Sequence, residues 1–254
     1  MGKYVLLDNV THKNLRIITE RGENYGDSIG YATIVPREFR QAIADYPIVF
    51  RKNSAGQFES VVLLGFDQNE NLFLNGGDWK ADYIPLSIER IPFMIGHTVD
   101  SMSGQKKAMI HIDSESPRVN DQQGEQVFLA HGGTTKYLER INGILAELLN
   151  GVEQSLDFTQ ALTALELLDP LLLKIQLKPN ISIEVNGFFT IGEEKLRYLN
   201  ANALIDLHKN NFLELAYLSI ASLSNIRKLI KMKEEKINNR EVIDKTASKA
   251  HSPS

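Results

Sequence analysis

Cysteine is absent from the 254-residue sequence, which excludes a disulfide-stapled scaffold, thiolate zinc sites and cysteine nucleophiles. Tryptophan occurs once and histidine six times, so an imidazole site must be assembled from few residues. An excess of one charge is also lacking: 28 basic against 32 acidic residues leave a formal charge of -4. That balance offers no electrostatic basis for binding nucleic acid or an anionic membrane surface. No segment approaches the roughly 18 uninterrupted apolar residues of a membrane span. The opening MGKYVLLDNVTHKN lacks the basic start, long apolar segment and small-residue cleavage site of a secretory signal. A cytoplasmic protein is the default expectation, with export to the cell surface by a non-classical route as the variant. The chain has no G-x-x-x-x-G-K-[ST], G-x-G-x-x-G or H-E-x-x-H motif, and no catalytic residue is assigned.

What is present suits a globular domain. With 43% hydrophobic residues the chain can bury a sizeable core. The stretch IVPREFRQAIADYPIVF, residues 34–50, sets a proline at each end of a short helical pattern. Pro36 suits a first helical turn, and Glu38 falls where the helix dipole favours negative charge. Pro47 stops the helix and biases Tyr46 to extended geometry. The order is strand, one or two helical turns, strand, with the prolines as corners.

Strands are predicted over 15–19, 31–35, 46–50, 61–66, 91–95 and 108–112, with a glycine turn at Asn75-Gly76-Gly77-Asp78. The second half changes period. A helical stripe from Tyr137 to Leu149 is expected to end at Asn150-Gly151. Asp157 with Gln160 reads as a capping box for a further helix, stopped by Pro170. The segment 181–191, centred on Asn186-Gly187, reads as a hairpin. Helices follow over 193–199, 203–208 and 212–232. The fold class is α+β: a β-rich N-terminal half (1–120) packed with a mainly helical C-terminal half (125–237) that contains one β-hairpin. Residues 1–237 are expected to form one domain, with 238–254 a disordered polar tail, because so polar a segment buries too little apolar area to offset its ordering entropy.

Few residues suggest chemistry. His111 and Asp113 alternate on one strand face, and with His131 or His208 they form a two-histidine, one-carboxylate set suited to iron(II). Arg140 would then bind a co-substrate carboxylate. The plainer reading is a strand-end histidine and a turn aspartate in HIDSESPRVN. Trp79 and Tyr83, in GGDWKADYIP, flank a glycine turn and with Asp113 mark a candidate ligand groove for stacking on a sugar or peptide. The same aromatics could instead cap a core. His131-Gly132-Gly133-Thr134-Thr135 is either an anion-binding helix start or simply the N-cap supplied by Thr134 or Thr135.

Five stretches carry a family likeness in order: VPREFRQAIADYPIVF, NLFLNGGDWKADYIPLSIERIPF, HIDSESPRV, NGFFTIGEEKLRYLN and LAYLSIASLSNIRKL. Together they resemble the bacterial SapC family. Where that family more usually has an Arg-Arg pair before Pro-Phe, this chain has Glu89-Arg90 and then Ile91. The family takes its name from genes linked to a paracrystalline surface layer, and relatives are encoded near outer-membrane uptake receptors and flavin-dependent halogenases. The resemblance implies a non-catalytic accessory or binding protein, linked to surface-layer assembly or nutrient uptake, with a protein or glycan partner and no cofactor. The alternatives are a non-haem iron(II) oxygenase built on His111 and Asp113, and a structural subunit of the surface layer.

Overall fold

The computed structural model describes the backbone of residues 2–99 and 106–250, and side chains over 2–97 and 107–239. In chain order the strands are β1 (Tyr4–Leu6), β2 (Arg16–Ile17), β3 (Tyr31–Thr33), β4 (Ile48–Lys52), β5 (Phe58–Leu63), β6 (Leu74–Asn75) and β7 (Asp78–Trp79). There follow β8 (Phe93–Val99), β9 (Lys106–Asp113), β10 (Val119–Asn120), β11 (Glu125–Gln126), β12 (Leu168–Lys178) and β13 (Ile181–Ile191). The helices are α1 (Phe39–Ala42), α2 (Leu86–Glu89), α3 (Lys136–Ala164), α4 (Glu193–Arg197), α5 (Ala201–Lys209), α6 (Phe212–Ser222) and α7 (Ile226–Ala250). The fold is α+β, strand-rich in the first half of the chain and helical in the second, as the sequence pattern predicts. No described helix is long and apolar enough to cross a membrane.

The chain divides into two compact units, each made of two separated segments: Met1–Ser28 with Leu74–Gln154, and Ile29–Phe73 with Ser155–Ser254. The first unit holds two small antiparallel sheets, ordered β1-β9-β8 and β10-β2-β11, and the β6-β7 hairpin. Its core gathers Leu15, Ile17, Phe93, Ile112, Val127 and the apolar face of early α3, including Leu138, Ile141 and Leu145. Thr135 caps that helix: its hydroxyl accepts from the Leu138 N–H at 3.3 Å, which satisfies one of the unpaired first-turn donors.

The second unit is built on one antiparallel sheet, ordered β12-β13-β4-β5-β3. The proline-framed stretch turns the chain between two of its strands. Pro36–Glu38 is a 3-10 turn, and the Glu38 carboxylate accepts from the Val35 N–H at 2.8 Å. Helix α1 follows, then fully buried Tyr46 and β4. In this unit's core Phe158 meets Phe39 edge-on and Phe50 and Phe212 at a tilt, with ring centroids 5.9, 6.0 and 5.4 Å apart. Such tilted aromatic contacts add to the area each ring buries. Polar groups at the α6–α7 junction finish the corner: Ser222 accepts from the Ile48 N–H at 2.7 Å, and Asn225 donates to the Ile43 carbonyl at 2.7 Å.

Several expectations are corrected. Asn186-Gly187 is not a hairpin turn but lies inside β13, with Gly187 at φ +85°. Leu171 pairs with Phe188 and Leu173 with Val185, so Leu172 alone opposes two residues. That is a glycine bulge, for which a left-handed residue is equally well suited. The chain reverses instead between Lys178 and Ile181, which are paired. Helix α3 does not stop at Asn150-Gly151, nor does Asp157 start a new helix; the run is continuous from Lys136 to Ala164. A mid-helix glycine costs about 1 kcal/mol, which burial of Ile144 and Leu145 before it, and Phe158 and Leu162 after it, readily offsets. Leu168 and Pro170 belong to β12, where an edge position spares Pro170 a missing ladder donor. The helix expected over 212–232 is broken by a 3-10 turn at Leu223–Asn225. The segment from 238, expected to lack structure, is helical to Ala250, its Lys, Glu and Arg being good helix formers. Residues 251–254 lie outside the described residues.

Candidate functional site

In the first unit a cleft of about 430 Å³ is lined by Arg21, Trp79, Glu89, Arg118, Tyr137 and Arg140, among others. Its size falls within the usual range for small-molecule sites. It is organised by Arg118, the residue directly after Pro117 in HIDSESPRV. Arg118 is 1% exposed, which is rare for arginine unless its charge is paired. One terminal nitrogen, Nη1, donates to the Ile18 and Glu20 carbonyls at 2.9 and 2.8 Å, and Nη2 donates to Asp27 Oδ2 at 2.6 Å. Its Nε is buried and has no hydrogen-bond partner. The Ile18 N–H in turn donates to the Arg118 carbonyl at 2.9 Å. The side chain is thus a strut that ties the turn after β9 to the chain following β2.

Asp27 is also buried and serves a second guanidinium: Arg21 Nη1 lies 3.5 Å from Oδ1. The Gly22 N–H donates to Oδ2 at 2.9 Å. One carboxylate therefore faces two arginines. Burial, and the repulsion of Arg118, lower the Arg21 pKa against the pull of Asp27, although an arginine stays charged at any ordinary pH. On α3, Arg140 pairs with Glu89 of α2, so the pair contributes no net charge. At the buried end of the cleft Arg21 and Arg118 face the one carboxylate of Asp27, a local excess of one guanidinium. Glu20 and Asp78 line the exposed rim, where water and salt screen them.

Aromatic and aliphatic groups complete the wall. Tyr137, in the first turn of α3, has its phenol pushed up to about 12 by burial, so at neutral pH it is a neutral donor. Trp79 is placed by the β6–β7 pairing, opposite Leu74 across the Gly76–Gly77 turn. Ile84 and Ile91 add apolar surface.

Of the groove residues expected from sequence, Trp79 lines this cleft, whereas Tyr83 and Asp113 do not. Asp113 ends β9 and closes the next turn: its carboxylate accepts from the Glu115 N–H at 3.2 Å and its carbonyl from the Ser116 N–H at 3.1 Å. His111 sits two residues earlier on the same strand face, with Nδ1 3.2 Å from the Met109 carbonyl, while Ile112 between them points into the core. His131 lies on the exposed Leu129–Gly133 turn, and His208 lies on α5 of the other unit. Among the described residues no three His, Cys, Asp or Glu side chains gather in a way that could hold a metal ion. The iron(II) set is not assembled by these residues. Arg140 lines the cleft, where it pairs with Glu89.

The sequence reading missed Arg118 and Asp27. The available signal was the arginine after Pro117, in a stretch read only for its turn. The Glu89-Arg90 difference from the usual Arg-Arg pair also has a structural counterpart. Glu89 holds Arg140, while Arg90 turns away to donate to the Phe93 carbonyl at 2.7 Å.

No curated protein and no solved structure matches the chain. The profile of one protein family, SapC, matches residues 7–229, which include most of each unit and every residue named in the cleft. The chain belongs to the SapC family.

Proposed function

We propose that this SapC-family chain is a non-catalytic accessory or binding protein, acting in bacterial surface-layer assembly or nutrient uptake. It holds a protein or glycan partner that presents a carboxylate to the cleft of the first unit. The observation that carries this reading is the pair of arginines sharing Asp27. A half-buried surplus positive charge beside Trp79 and Tyr137 is best neutralised by a single anionic group, and a planar guanidinium matches a carboxylate in a two-point hydrogen bond. The wall groups are donors and stacking surfaces, already held in place before any ligand arrives, which limits the ordering cost of binding.

Benzoate is a suitable probe, since it joins a carboxylate to a flat ring. Calorimetric titration should show saturable binding that weakens roughly tenfold or more in Arg21→Ala, as loss of one charged hydrogen bond predicts. A surface-layer or uptake-receptor component should also co-purify from the native host. Absence of saturation, or an affinity unchanged in Arg21→Ala, overturns the reading of the cleft; failure of any such component to co-purify overturns the accessory role.

A further inference from the structure

The second unit holds a cleft of its own, about 510 Å³, with a different lining. Strand register explains its floor. Tyr31 pairs with Leu63, Arg51 with Glu59 and Phe188 with Arg51. Because Glu59 and Leu63 lie an even number of residues apart on β5, Tyr31, Arg51 and Phe188 share one face of the sheet. There the Arg51 guanidinium lies 4.3 Å from the centre of the Tyr31 ring, and Phe188 meets the same ring edge-on at 5.9 Å. The result is a partly exposed aromatic platform on which a further ring can stack.

Planar polar groups surround that platform. Gly30 allows the loop carrying Asp67 and Gln68 to approach: a Cβ there would fall 2.2 Å from the Asp67 carbonyl oxygen, and the Gly30 N–H donates to the Gln68 carbonyl at 2.8 Å. The β13 bulge delivers Asn186 to the opposite side. Among the described residues the amide side chains of Gln68 and Asn186 make no hydrogen bond, and Arg51 only approaches Glu59, at 3.8 Å. The charges cancel locally: Asp67 is paired with Lys233 at 2.9 Å and Glu184 with Lys174 at 3.1 Å. This cleft therefore has uncommitted donors and acceptors without surplus charge.

We infer that the second-unit cleft binds a neutral saccharide ring. A sugar offers an apolar C–H face to stack on Tyr31 and Phe188, and an edge of hydroxyls, each both donor and acceptor, for Arg51, Gln68 and Asn186. A neutral polyol satisfies those groups without burying an ion. The inference rests on the binding-protein reading and adds to it a second site of another ligand class.

The test is saturation-transfer NMR on the intact protein with the methyl glycosides of glucose, galactose, mannose and N-acetylglucosamine. The expected result is transfer to ring C–H protons of at least one glycoside, with affinity reduced up to about tenfold in Tyr31→Ala and unchanged in Arg21→Ala. If circular dichroism shows Tyr31→Ala to be unfolded, Gln68→Ala and Asn186→Ala, both at exposed positions, replace it and should each weaken binding. Transfer to none of the four glycosides, or transfer that all folded variants retain in full, overturns the inference. Benzoate binding that persists in the same samples confines that failure to the saccharide site, whereas loss of benzoate binding by the wild-type protein is the failure of the earlier reading.

Discussion

The two units use arginine in opposite ways. In the first, Arg118 is buried, its terminal nitrogens are spent on two carbonyls and Asp27, and it shares that carboxylate with Arg21. In the second, Arg51 lies 4.3 Å from the centre of the Tyr31 ring and only approaches Glu59, at 3.8 Å. One guanidinium is part of the framework and leaves its neighbour with surplus charge; the other is a surface element whose charge is balanced nearby. The difference shows that a residue's type does not set its role. Burial and the count of opposing carboxylates do, and they are the basis for proposing an anionic ligand for one cleft and a neutral polyol for the other.

The largest expected effect comes from breaking the framework arginine's partner. Asp27→Ala leaves a buried guanidinium uncompensated and should cost about 3–5 kcal/mol, read from urea denaturation midpoints. Replacing both partners together, Asp27→Leu with Arg118→Met, should recover much of that loss. A double variant as unstable as the single one would mean that the strut's hydrogen bonds to the Ile18 and Glu20 carbonyls matter more than its charge.

Alkaline pH sharpens the comparison, with an intermediate effect. In the second unit Lys233 is partly buried, which lowers its pKa, but bonds to Glu70 and Asp67 outweigh this and leave it raised above 10.5. Its contribution is complete below that value and is lost as pH rises through the folded pKa. In the first unit the Tyr137 phenol, raised from 10.0 to about 12, keeps its proton in the folded chain while the unfolded chain has lost it. Stability therefore falls between those two values. Denaturation midpoints should be insensitive to these groups near neutrality and decline above about pH 10. Lys233→Met should lower stability at neutral pH by about 1–3 kcal/mol, since Glu70 loses its closer lysine and keeps only Lys236 at 3.5 Å. Tyr137→Phe should flatten part of the alkaline decline. An alkaline profile unchanged in both variants would contradict the assignment. The smallest effect belongs to Gln68→Ala: at an exposed position it should change stability by no more than about 0.5 kcal/mol, whatever it does to saccharide binding.

Local signals in the sequence were read well where the structure is local. Pro36, Glu38 and Pro47 define a corner with short-range rules, and the Tyr137-to-Leu145 stripe defines a buried helix face. Asn186-Gly187 misled because a left-handed glycine serves both a two-residue turn and a bulge, and the two are distinguished only by what the partner strand does at Leu172. Gly151 misled because helix termination depends on whether burial continues beyond it, which Phe158 and Leu162 supply. The candidate sites were the least legible. Arg118 and Asp27 are separated by 91 positions, and Tyr31, Arg51 and Phe188 meet through sheet register. Neither grouping has a spacing that a one-dimensional pattern could reveal. His111 and Asp113 did have such a spacing, and the structure uses Asp113 to close a turn.

The most direct test is a crossed titration of the wild-type protein, Arg21→Ala and Tyr31→Ala with benzoate and with the saccharide that binds best. The account predicts that Arg21→Ala weakens benzoate alone and Tyr31→Ala weakens the saccharide alone. A variant that weakens both ligands equally, or a benzoate affinity that follows Tyr31 instead of Arg21, would contradict it.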